Sequence, residues 1–210
     1  MKRGYLQRLF SRLSHYVTMT NDIVGTLKIL LLITLLGGIV SPDAAQAESN
    51  IDRVDKIKAA FILNIVRFIS WPDGVYEQQD TQLLLCLYRS NSINNAVNTI
   101  DGKKVGGKFI DVVLVESLSE SQNCNILLIA NDEMDGFIDE VQPGLNRPML
   151  TIADFTERES AHAFHQDVLI ALVRNGSRIS FQVNFQKSRQ LGLWMSSKLL
   201  KLATIVGGGS

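Results

Sequence analysis

The sequence predicts a single α/β domain with a mixed β-sheet, helices on both faces, and a C-terminal β-hairpin and helix. Apolar runs of strand length alternate with helical segments through most of residues 48–170, which favours parallel strands joined by right-handed crossovers. Near the C-terminus, two β-rich runs flank Asn175-Gly176, a strong hairpin signal. Apolar residues at helical spacing then predict a final helix that packs back on the sheet.

The N-terminal region has the pattern of a secretory signal peptide. Lys28 is followed by twelve uncharged residues, 29–40, then by Pro42 and the A-x-A triplet at 45–47. A run of twelve is too short to cross a bilayer, which needs roughly 20 apolar residues. We therefore expect cleavage after Ala47, release into the periplasm, and no stable membrane insertion afterwards.

The leader before the apolar run is long for a signal peptide. A start at Met19 would leave a charged leader of ordinary length, so residues 1–18 are either an extended leader or a misassigned start. Neither alternative changes the domain predicted for residues 48–206. Residues 207–210 are predicted to form a flexible Gly-rich tail.

The charge of the predicted mature chain argues against nucleic-acid binding. Removing residues 1–47 takes away five basic and two acidic residues, so 16 basic and 19 acidic residues remain, a net charge of −3. Phosphate recognition needs a positive face. The remaining length suits one ordinary domain with a single core.

Two cysteines, Cys86 and Cys124, lie beside apolar strand-like runs. An even count in an exported chain predicts a disulfide, and two cysteines allow only one intramolecular pairing. A buried pair of free thiols is the alternative. A zinc site is disfavoured, because the sequence lacks additional cysteine ligands at the spacing such sites use.

The first elements follow from hydrophobic spacing. Apolar residues recur every three or four positions from Ile51 to Phe68, which predicts an amphipathic helix of about five turns. Trp71-Pro72 is predicted to end it, because proline disfavours helical backbone in the residue before it. The nearly continuous apolar run Gln82–Tyr88 predicts a strand covered on both faces.

The middle of the chain continues the alternation of strands and helices. Asn131 or Asp132 is predicted to cap the helix that runs to Val141, and Pro143-Gly144 to close it. A helical piece is expected around 154–164. The other predicted elements are a short helix at 92–100 and strands at 109–115, 125–130 and 148–152.

The pattern of residues in the last third of the sequence predicts the hairpin and the final helix. Strands at 168–173 and 178–183 flank the Asn-Gly turn, and Asn184 is predicted to cap a helix from Phe185 to about Ile205. Its expected apolar stripe consists of Leu191, Trp194, Met195, Leu199 and Leu202.

No motif indicates catalysis, a cofactor or a metal. His162 and His165 would share a helical face, where they could bind a metal or serve a hydrolase, but no third ligand stands at diagnostic spacing and a solvated pair is favoured. Residues 102–107 resemble a phosphate loop but precede a strand, which favours a hairpin or crossover turn. A nucleophilic role for Cys86 is disfavoured by its apolar surroundings.

Four residues are candidates for binding a protein partner. Trp71 could end the first helix and cover the core, or protrude as an anchor, since Trp and Arg dominate interface hot spots. Arg189 and Lys198 lie on the predicted final helix, where a charge is more often a solvated position, and Asn184 stands at its start. We expect the surface around the Trp71 turn and the start of that helix to bind the partner, with Arg189 as the leading anchor.

Three segments resemble proteins of the YfiR family. Residues 56–72 (KIKAAFILNIVRFISWP) look like the opening of its members, and 147–154 (RPMLTIAD) resemble a central strand. Residues 178–206 resemble the C-terminal strand and helix, and the two cysteines fall at matching places. Where members carry a Gly-Gly pair before the hairpin, this chain has Phe164-His165-Gln166, and a second disulfide is missing.

The resemblance implies a non-enzymatic periplasmic regulator with a partly redox-sensitive fold. Such a protein binds the periplasmic part of an inner-membrane diguanylate cyclase and holds it inactive, which keeps cytoplasmic cyclic-di-GMP low. The alternative from another class is a periplasmic small-molecule binding protein with an apolar pocket. The sequence leaves open whether the protein forms a homodimer.

Overall fold

The structure is a computed structural model that describes residues 43–75, 81–89, 93–157 and 165–207, with side chains from residue 53 onward. The chain divides into two units, Met1–Glu48 and Ser49–Ser210, and every strand of the described residues belongs to the second unit. The single α/β domain predicted for this part is confirmed.

Helix α1 spans Asp43–Arg67, and its residues from 59 to 66 pack against one face of the sheet. The predicted amphipathic helix is present, but its buried face is rotated from the expected stripe. Ile62, Ile65 and Val66 are buried, whereas Ile57 is 39% exposed. Between residues 59 and 66 the helix is apolar almost all round, so spacing alone did not fix which side would face the core.

Eight strands form the main sheet, in the order β10-β8-β7-β6-β5-β2-β4-β3. Their bounds are β2 Gln82–Tyr88, β3 Lys104–Val105, β4 Lys108–Val115, β5 Ile126–Ile129, β6 Leu150–Phe155, β7 Ile170–Asn175, β8 Arg178–Asn184 and β10 Thr204–Val206. A separate two-stranded sheet pairs β1, Ile69–Ser70, with β9, Trp194–Met195.

Parallel pairing dominates the centre of the main sheet, as predicted. Strand β2 lies between β4 and β5, and the parallel set continues through β6 and β7. Two hairpins add antiparallel pairs, β3 with β4 and β7 with β8. Gly106 and Gly107 turn the first with φ of +59° and +92°, so the segment that resembles a phosphate loop is a hairpin turn.

Helices cover both faces of the sheet. One apolar cluster joins α1, helix α2 at Asn94–Asn98, and the C-terminal helices α4 at Phe185–Gln190 and α5 at Ser197–Leu200. The other contains helix α3, Met134–Glu140, with Phe137 fully buried. Successive residues of β5 point alternately into the two clusters, so every side chain of this strand is buried. This explains why β5 is apolar throughout.

The predicted C-terminal helix is shorter than expected. Helix α4 ends at Gln190, and the chain then forms β9, α5 and β10. Gly192, with φ of +76°, stops α4, because its N–H donates to the Arg189 carbonyl while the Leu193 N–H donates to the Ser188 carbonyl. These two bonds form a Schellman motif. The expected stripe is therefore split: Leu191, Met195 and Leu199 are buried, but Trp194 and Leu202 are exposed.

Three local predictions were wrong. Helix α1 ends at Arg67, before Trp71-Pro72, because the next residues pair as β1 with β9. Neither Asn131 nor Asp132 caps α3; a 3-10 turn at Asn131–Glu133 leads into it without a side-chain cap. Asp154 and Phe155 belong to β6, not to a helix, and residues 158–164 lie outside the described part of the chain.

Candidate functional site

The C-terminal segment presents an exposed tryptophan beside an arginine. Trp194 is 68% exposed on β9. The guanidinium of Arg189 lies 5.5 Å from the centroid of the Trp194 ring and 5.8 Å from that of Phe185. Cation–π contact holds the arginine over these rings, so an aromatic surface with one positive charge is already formed. Predicting one continuous helix missed this arrangement.

The Trp71-Pro72 turn adjoins this segment. Ser70 is paired with Trp194, and Ile69 with Met195, in the two-stranded sheet. A Cβ at Gly192 would lie 3.0 Å from Cγ of Pro72, so a residue larger than glycine would press on the turn. The structure thus brings the Trp71 turn against Gly192 and β9, which follow α4, and the binding of a partner at this place stays a prediction. We call Trp71, Phe185, Arg189 and Trp194 the Arg189–Trp194 surface.

Asn184 holds the start of α4 in place. Its Oδ1 accepts from the Lys187 N–H at 3.1 Å, which confirms the predicted cap, and its Nδ2 donates to the Gln166 carbonyl at 3.2 Å. A Cβ at Gly207 would lie 2.7 Å from Asn184 Oδ1, so the chain after β10 closes over this amide. At 6% exposure, Asn184 positions the helix from inside, and its part in partner binding stays a prediction.

Lys198 lies on α5, a different helix from Arg189. Ser196 caps α5 by accepting from the Leu199 N–H at 3.3 Å, and Leu199 is buried while Lys198 points to solvent. Because the chain breaks at Gly192, the helical spacing expected between Arg189 and Lys198 does not apply. A role for Lys198 in binding stays a prediction.

A cleft of about 360 Å³ is lined by residues of the Trp71 turn. Its walls come from the end of α1, the turn 69–74, the start of β2 and the β3–β4 hairpin. Nε1 of Trp71 is buried and has no hydrogen-bond partner among the described residues. Sequence reasoning weighed Trp71 as a core or interface residue and did not predict this cleft.

The predicted disulfide joins Cys86 to Cys124, with their Cα atoms 5.8 Å apart. Both residues are buried, at 0% and 1% exposure. The bridge links β2 to the segment that enters β5, its neighbour in the sheet. Burial among apolar side chains fits a structural bond and no catalytic thiol is free in the described residues.

A charged cluster at the end of β2 was not predicted. Arg89, with φ of +56°, bonds Glu140 at 2.7 Å and Glu133 at 3.4 Å. Glu140 also accepts from the Leu118 N–H at 2.7 Å, which lowers its pKa, and the Tyr88 hydroxyl and Arg89 add to that effect. Burial, followed by the bond to Glu140, raises the pKa of Tyr88. Every group has a structural partner, so this cluster anchors β2 to α3.

Two buried ion pairs also hold elements together. Lys58 of α1 contacts Asp154 of β6 at 2.7 Å, and both side chains are almost fully buried. Asp167 accepts from Lys187 at 2.8 Å and from the Leu145 N–H at 3.0 Å. His165 lies 3.9 Å from Asp167.

The sequence offers His162 and His165 as candidate metal ligands. His162 lies outside the described residues. Within the described residues, no three metal-binding side chains are grouped around one point.

The fold and these sites define a disulfide-bonded α/β domain whose prominent surface is aromatic and cationic. Comparison with known families matches residues 55–204 to the YfiR/HmsC-like family, so the chain belongs to that family. Curated proteins gave no match to the chain. The family is periplasmic, regulatory and generally non-catalytic, and is associated with control of diguanylate cyclase signalling. Within the part described, none of the helices has the length and hydrophobicity to cross a membrane.

Proposed function

We propose that this protein is a periplasmic repressor that binds the periplasmic domain of an inner-membrane diguanylate cyclase and holds the cyclase inactive. Export requires the signal peptide, cleaved after Ala47. Membership of the YfiR/HmsC-like family supports the regulatory role. The Arg189–Trp194 surface is the single structural observation that supports binding to a protein partner.

Repression of this kind needs no catalytic group. A protein that binds the inactive conformation of its target more tightly than the active one shifts the population toward the inactive form. The difference between the two affinities sets the degree of inhibition. The buried charges of Lys58 and Asp167 and the partly exposed charge of Arg89 are all engaged in holding the fold, which is consistent with a binding protein.

The Arg189–Trp194 surface has the composition of an interface hot spot. Trp and Arg are the residues most enriched among those that dominate binding free energy. Trp194 would bury a large apolar area against a partner, and Arg189 is held in place before binding by its contacts with two rings. Ordering an arginine in advance reduces the entropy lost on association.

The proposed roles differ between the residues. Arg189 and Trp194 contact the partner directly, with Lys198 as a second cation. Trp71 is partly exposed and follows Ser70, which pairs with Trp194, so it lies next to the strand that carries Trp194. Asn184 acts indirectly, because its bond to the Lys187 N–H fixes the start of the helix that carries Arg189.

The proposal is tested by measuring affinity for the cyclase. Where a membrane protein with a GGDEF domain is encoded beside this gene, that protein is the candidate partner, and its periplasmic domain can be titrated with the purified protein. Trp194→Ala should weaken binding by roughly 30-fold, the loss expected of a hot-spot residue of about 2 kcal/mol. The matched control is Leu202→Ala, which removes an apolar side chain that is 73% exposed in the same C-terminal region. Equal affinities of Trp194→Ala and the unchanged protein would contradict this assignment.

A small-molecule binding protein is the second candidate, and the cleft beside Trp71 favours it. The two functions are separable, because the cleft and the Arg189–Trp194 surface involve different side chains apart from Trp71.

A further inference from the structure

We infer that the end of the C-terminal segment docks on an anionic lipid bilayer. The docking surface consists of Lys198, Lys201, Leu202 and Ile205, and we call it the Lys198–Ile205 surface. This contact goes beyond the proposed binding of the cyclase, because its partner is lipid and not protein. Lys198 is the one residue that both contacts involve.

Two large apolar side chains protrude from this surface. Leu202 is 73% exposed and Ile205 is 48% exposed. Ile205 is in register with Val183, and Val183 packs in the apolar cluster that also contains Leu199 of α5. Since side chains alternate between the two faces of a sheet, Ile205 lies on the face that α5 covers. Leu202 follows α5 directly, so both apolar residues belong to this side of the sheet.

Two lysines accompany Leu202. The Lys201 N–H donates to the Ser197 carbonyl at 3.1 Å and the Leu202 N–H donates to the Leu199 carbonyl at 3.0 Å, so the helical turn of α5 continues through Leu202. Lys198 stands three residues before Lys201 and four before Leu202, which places the three side chains on one face of the turn. Both lysines are exposed, and neither forms an ion pair with a carboxylate of the described residues.

The charge of the C-terminal segment is complementary to an anionic partner. Residues 168–210 contain six basic residues and no acidic one, whereas residues 48–167 contain 10 basic and 19 acidic residues. The positive charge is therefore concentrated in the segment that carries the protruding apolar side chains. A lysine or arginine close to an anionic bilayer strengthens binding by roughly fivefold.

The composition of the surface favours lipid over protein. Lysine is depleted from protein interfaces and leucine is rare among their hot spots, whereas tryptophan and arginine, as in the Arg189–Trp194 surface, are enriched. Apolar side chains beside lysines are typical of reversible binding to anionic bilayers. Leu202 and Ile205 would enter the headgroup region, while the lysines contact the lipid phosphates and keep their carbon chains over apolar surface.

The Lys198–Ile205 surface follows the Arg189–Trp194 surface along the chain. Trp194 lies on β9, and Ser196, which caps α5, stands between it and Lys198. Docking through Lys201 and Leu202 would hold the domain at the membrane in which the proposed partner is anchored. This contact is additional to the cyclase contact, so loss of Leu202 alone leaves the Arg189–Trp194 surface intact.

Sedimentation with lipid vesicles tests the inference on the purified protein alone. Vesicles of phosphatidylglycerol and phosphatidylcholine in equal amounts should bind the protein at least roughly tenfold more tightly than vesicles of phosphatidylcholine, and added salt should remove most of this difference. The assay contains no cyclase, so its outcome does not depend on the proposed function. Absence of binding to the anionic vesicles, or equal binding to both kinds, would overturn the inference.

A charge variant places the bilayer on this surface. Lys201→Glu should weaken binding to the anionic vesicles by roughly 25-fold, because reversing one charge removes two charge units from the contact. Lys103→Glu is the matched control and should change affinity by less than about twofold, because Lys103 is also exposed but precedes β3, at the opposite edge of the main sheet from β10. Equal losses in the two folded variants would show attraction without a defined surface and would overturn the inference.

An apolar variant separates lipid from protein as the partner. Leu202→Ala should weaken vesicle binding by at least about fivefold, because less apolar area enters the bilayer, and should leave affinity for the periplasmic domain of the cyclase unchanged. Leu114→Ala is the matched control, because Leu114 is 50% exposed on β4. Unaltered vesicle binding by folded Leu202→Ala protein, or a loss of affinity for the cyclase domain in its place, would overturn the inference.

Discussion

Arg189 is the residue whose surroundings most differ from those expected of a solvated helical charge. Its guanidinium lies over both Phe185 and Trp194, and the three side chains form one exposed surface. An exposed cation–π contact contributes only about 0.5–1 kcal/mol to folding, but the same groups can dominate an interface. Binding and stability should therefore respond very differently when Arg189 is removed.

Replacing Arg189 by Ala should derepress the cyclase while leaving the melting temperature nearly unchanged. Cyclic-di-GMP in cells that carry the variant and thermal unfolding of the purified protein measure the two effects. Arg178→Ala is the control, because Arg178 is also exposed but lies at the tip of the β7–β8 hairpin. Full repression by a stable Arg189→Ala protein would remove this residue from the interface, and derepression with a large loss of stability would indicate a structural role.

At the scale of elements, two features secure β2, which pairs in parallel with both β4 and β5. The disulfide of Cys86 joins it to the segment entering β5, and the cluster of Tyr88, Arg89 and Glu140 joins its end to α3. Both lie on the same face of the sheet, in the cluster that contains Phe137. Loss of either should loosen the packing of α3 on β2.

Replacement of Cys86 by Ser should lower the free energy of unfolding by roughly 2–5 kcal/mol, the usual cost of losing a native disulfide. The chain-entropy estimate for a bridge between residues 38 apart is about 4 kcal/mol. Urea denaturation of the variant and the unchanged protein measures the difference. Thiol titration supplies the control: no thiol should react until the protein is reduced and denatured. Two thiols that react in the native protein would contradict the bridge.

Acid should weaken the contact between β2 and α3 through Glu140. Because the folded protein lowers the pKa of Glu140 below its usual 4.5, the ionised carboxylate stabilises the native state, and this contribution is lost as the pH falls through the lower folded value. The difference in free energy of unfolding between the unchanged protein and Glu140→Gln should therefore be present at pH 7 and shrink at pH 3. Urea denaturation at the two pH values measures it. A difference that does not depend on pH would contradict this role.

Alkaline pH should also destabilise the protein through this cluster, because Tyr88 then tends to lose its proton. Burial raises the pKa of Tyr88 above 10.0, so above that pH the unfolded chain releases a proton that the folded protein retains. Stability should fall as the pH rises beyond 10, and Tyr88→Phe should remove this part of the loss in the same denaturation assay.

At the scale of the whole molecule, the proposed function links the exported domain to a cytoplasmic signal. The protein would act on the periplasmic part of the cyclase, so that a binding event outside the membrane changes nucleotide synthesis inside. A shift in the population of the cyclase from active to inactive is sufficient for this.

Deletion of the gene should raise cyclic-di-GMP and increase biofilm formation, because the cyclase loses its repressor. Nucleotide extraction followed by mass spectrometry measures the first effect and surface attachment the second. Complementation provides the control: Leu202→Ala should restore repression and Trp194→Ala should not. Unchanged nucleotide levels in a deletion strain that expresses the neighbouring cyclase would contradict the proposed function.

Much of the fold was predictable because its signals are local. Apolar runs at 82–88 and 126–129 gave the central strands, and the Asn-Gly dipeptide gave the hairpin. The two cysteines gave the disulfide, and Asn184 gave the cap of α4. The predictions of the strands, the hairpin and the cap depend on residues that are close in sequence. The prediction of the disulfide depends on the only intramolecular pairing that two cysteines allow.

The site was predictable only in outline. The sequence predicts that Trp71 and Arg189 belong to one binding surface, which stays a prediction, and it placed Trp194 in an apolar helical stripe, whereas Trp194 is exposed. The signal that could have corrected this was Gly192, since a glycine just after a helical run commonly ends the helix. The charged cluster around Arg89 had no such signal, because its members come from β2, α3 and the turn before it.

The sequence by itself determined the class of fold, the central strands and the hairpin at Asn175-Gly176, because hydrophobic period and turn residues act through neighbouring residues. It also determined the disulfide, because two cysteines allow only one intramolecular pairing. Only the tertiary structure decided which face of α1 is buried, since residues 59–66 of that helix are apolar on nearly every side. It also decided that β1 pairs with β9, which places exposed Trp194 beside Arg189. These outcomes depend on contacts between segments more than 100 residues apart, such as Ile69 with Met195, which no local pattern encodes.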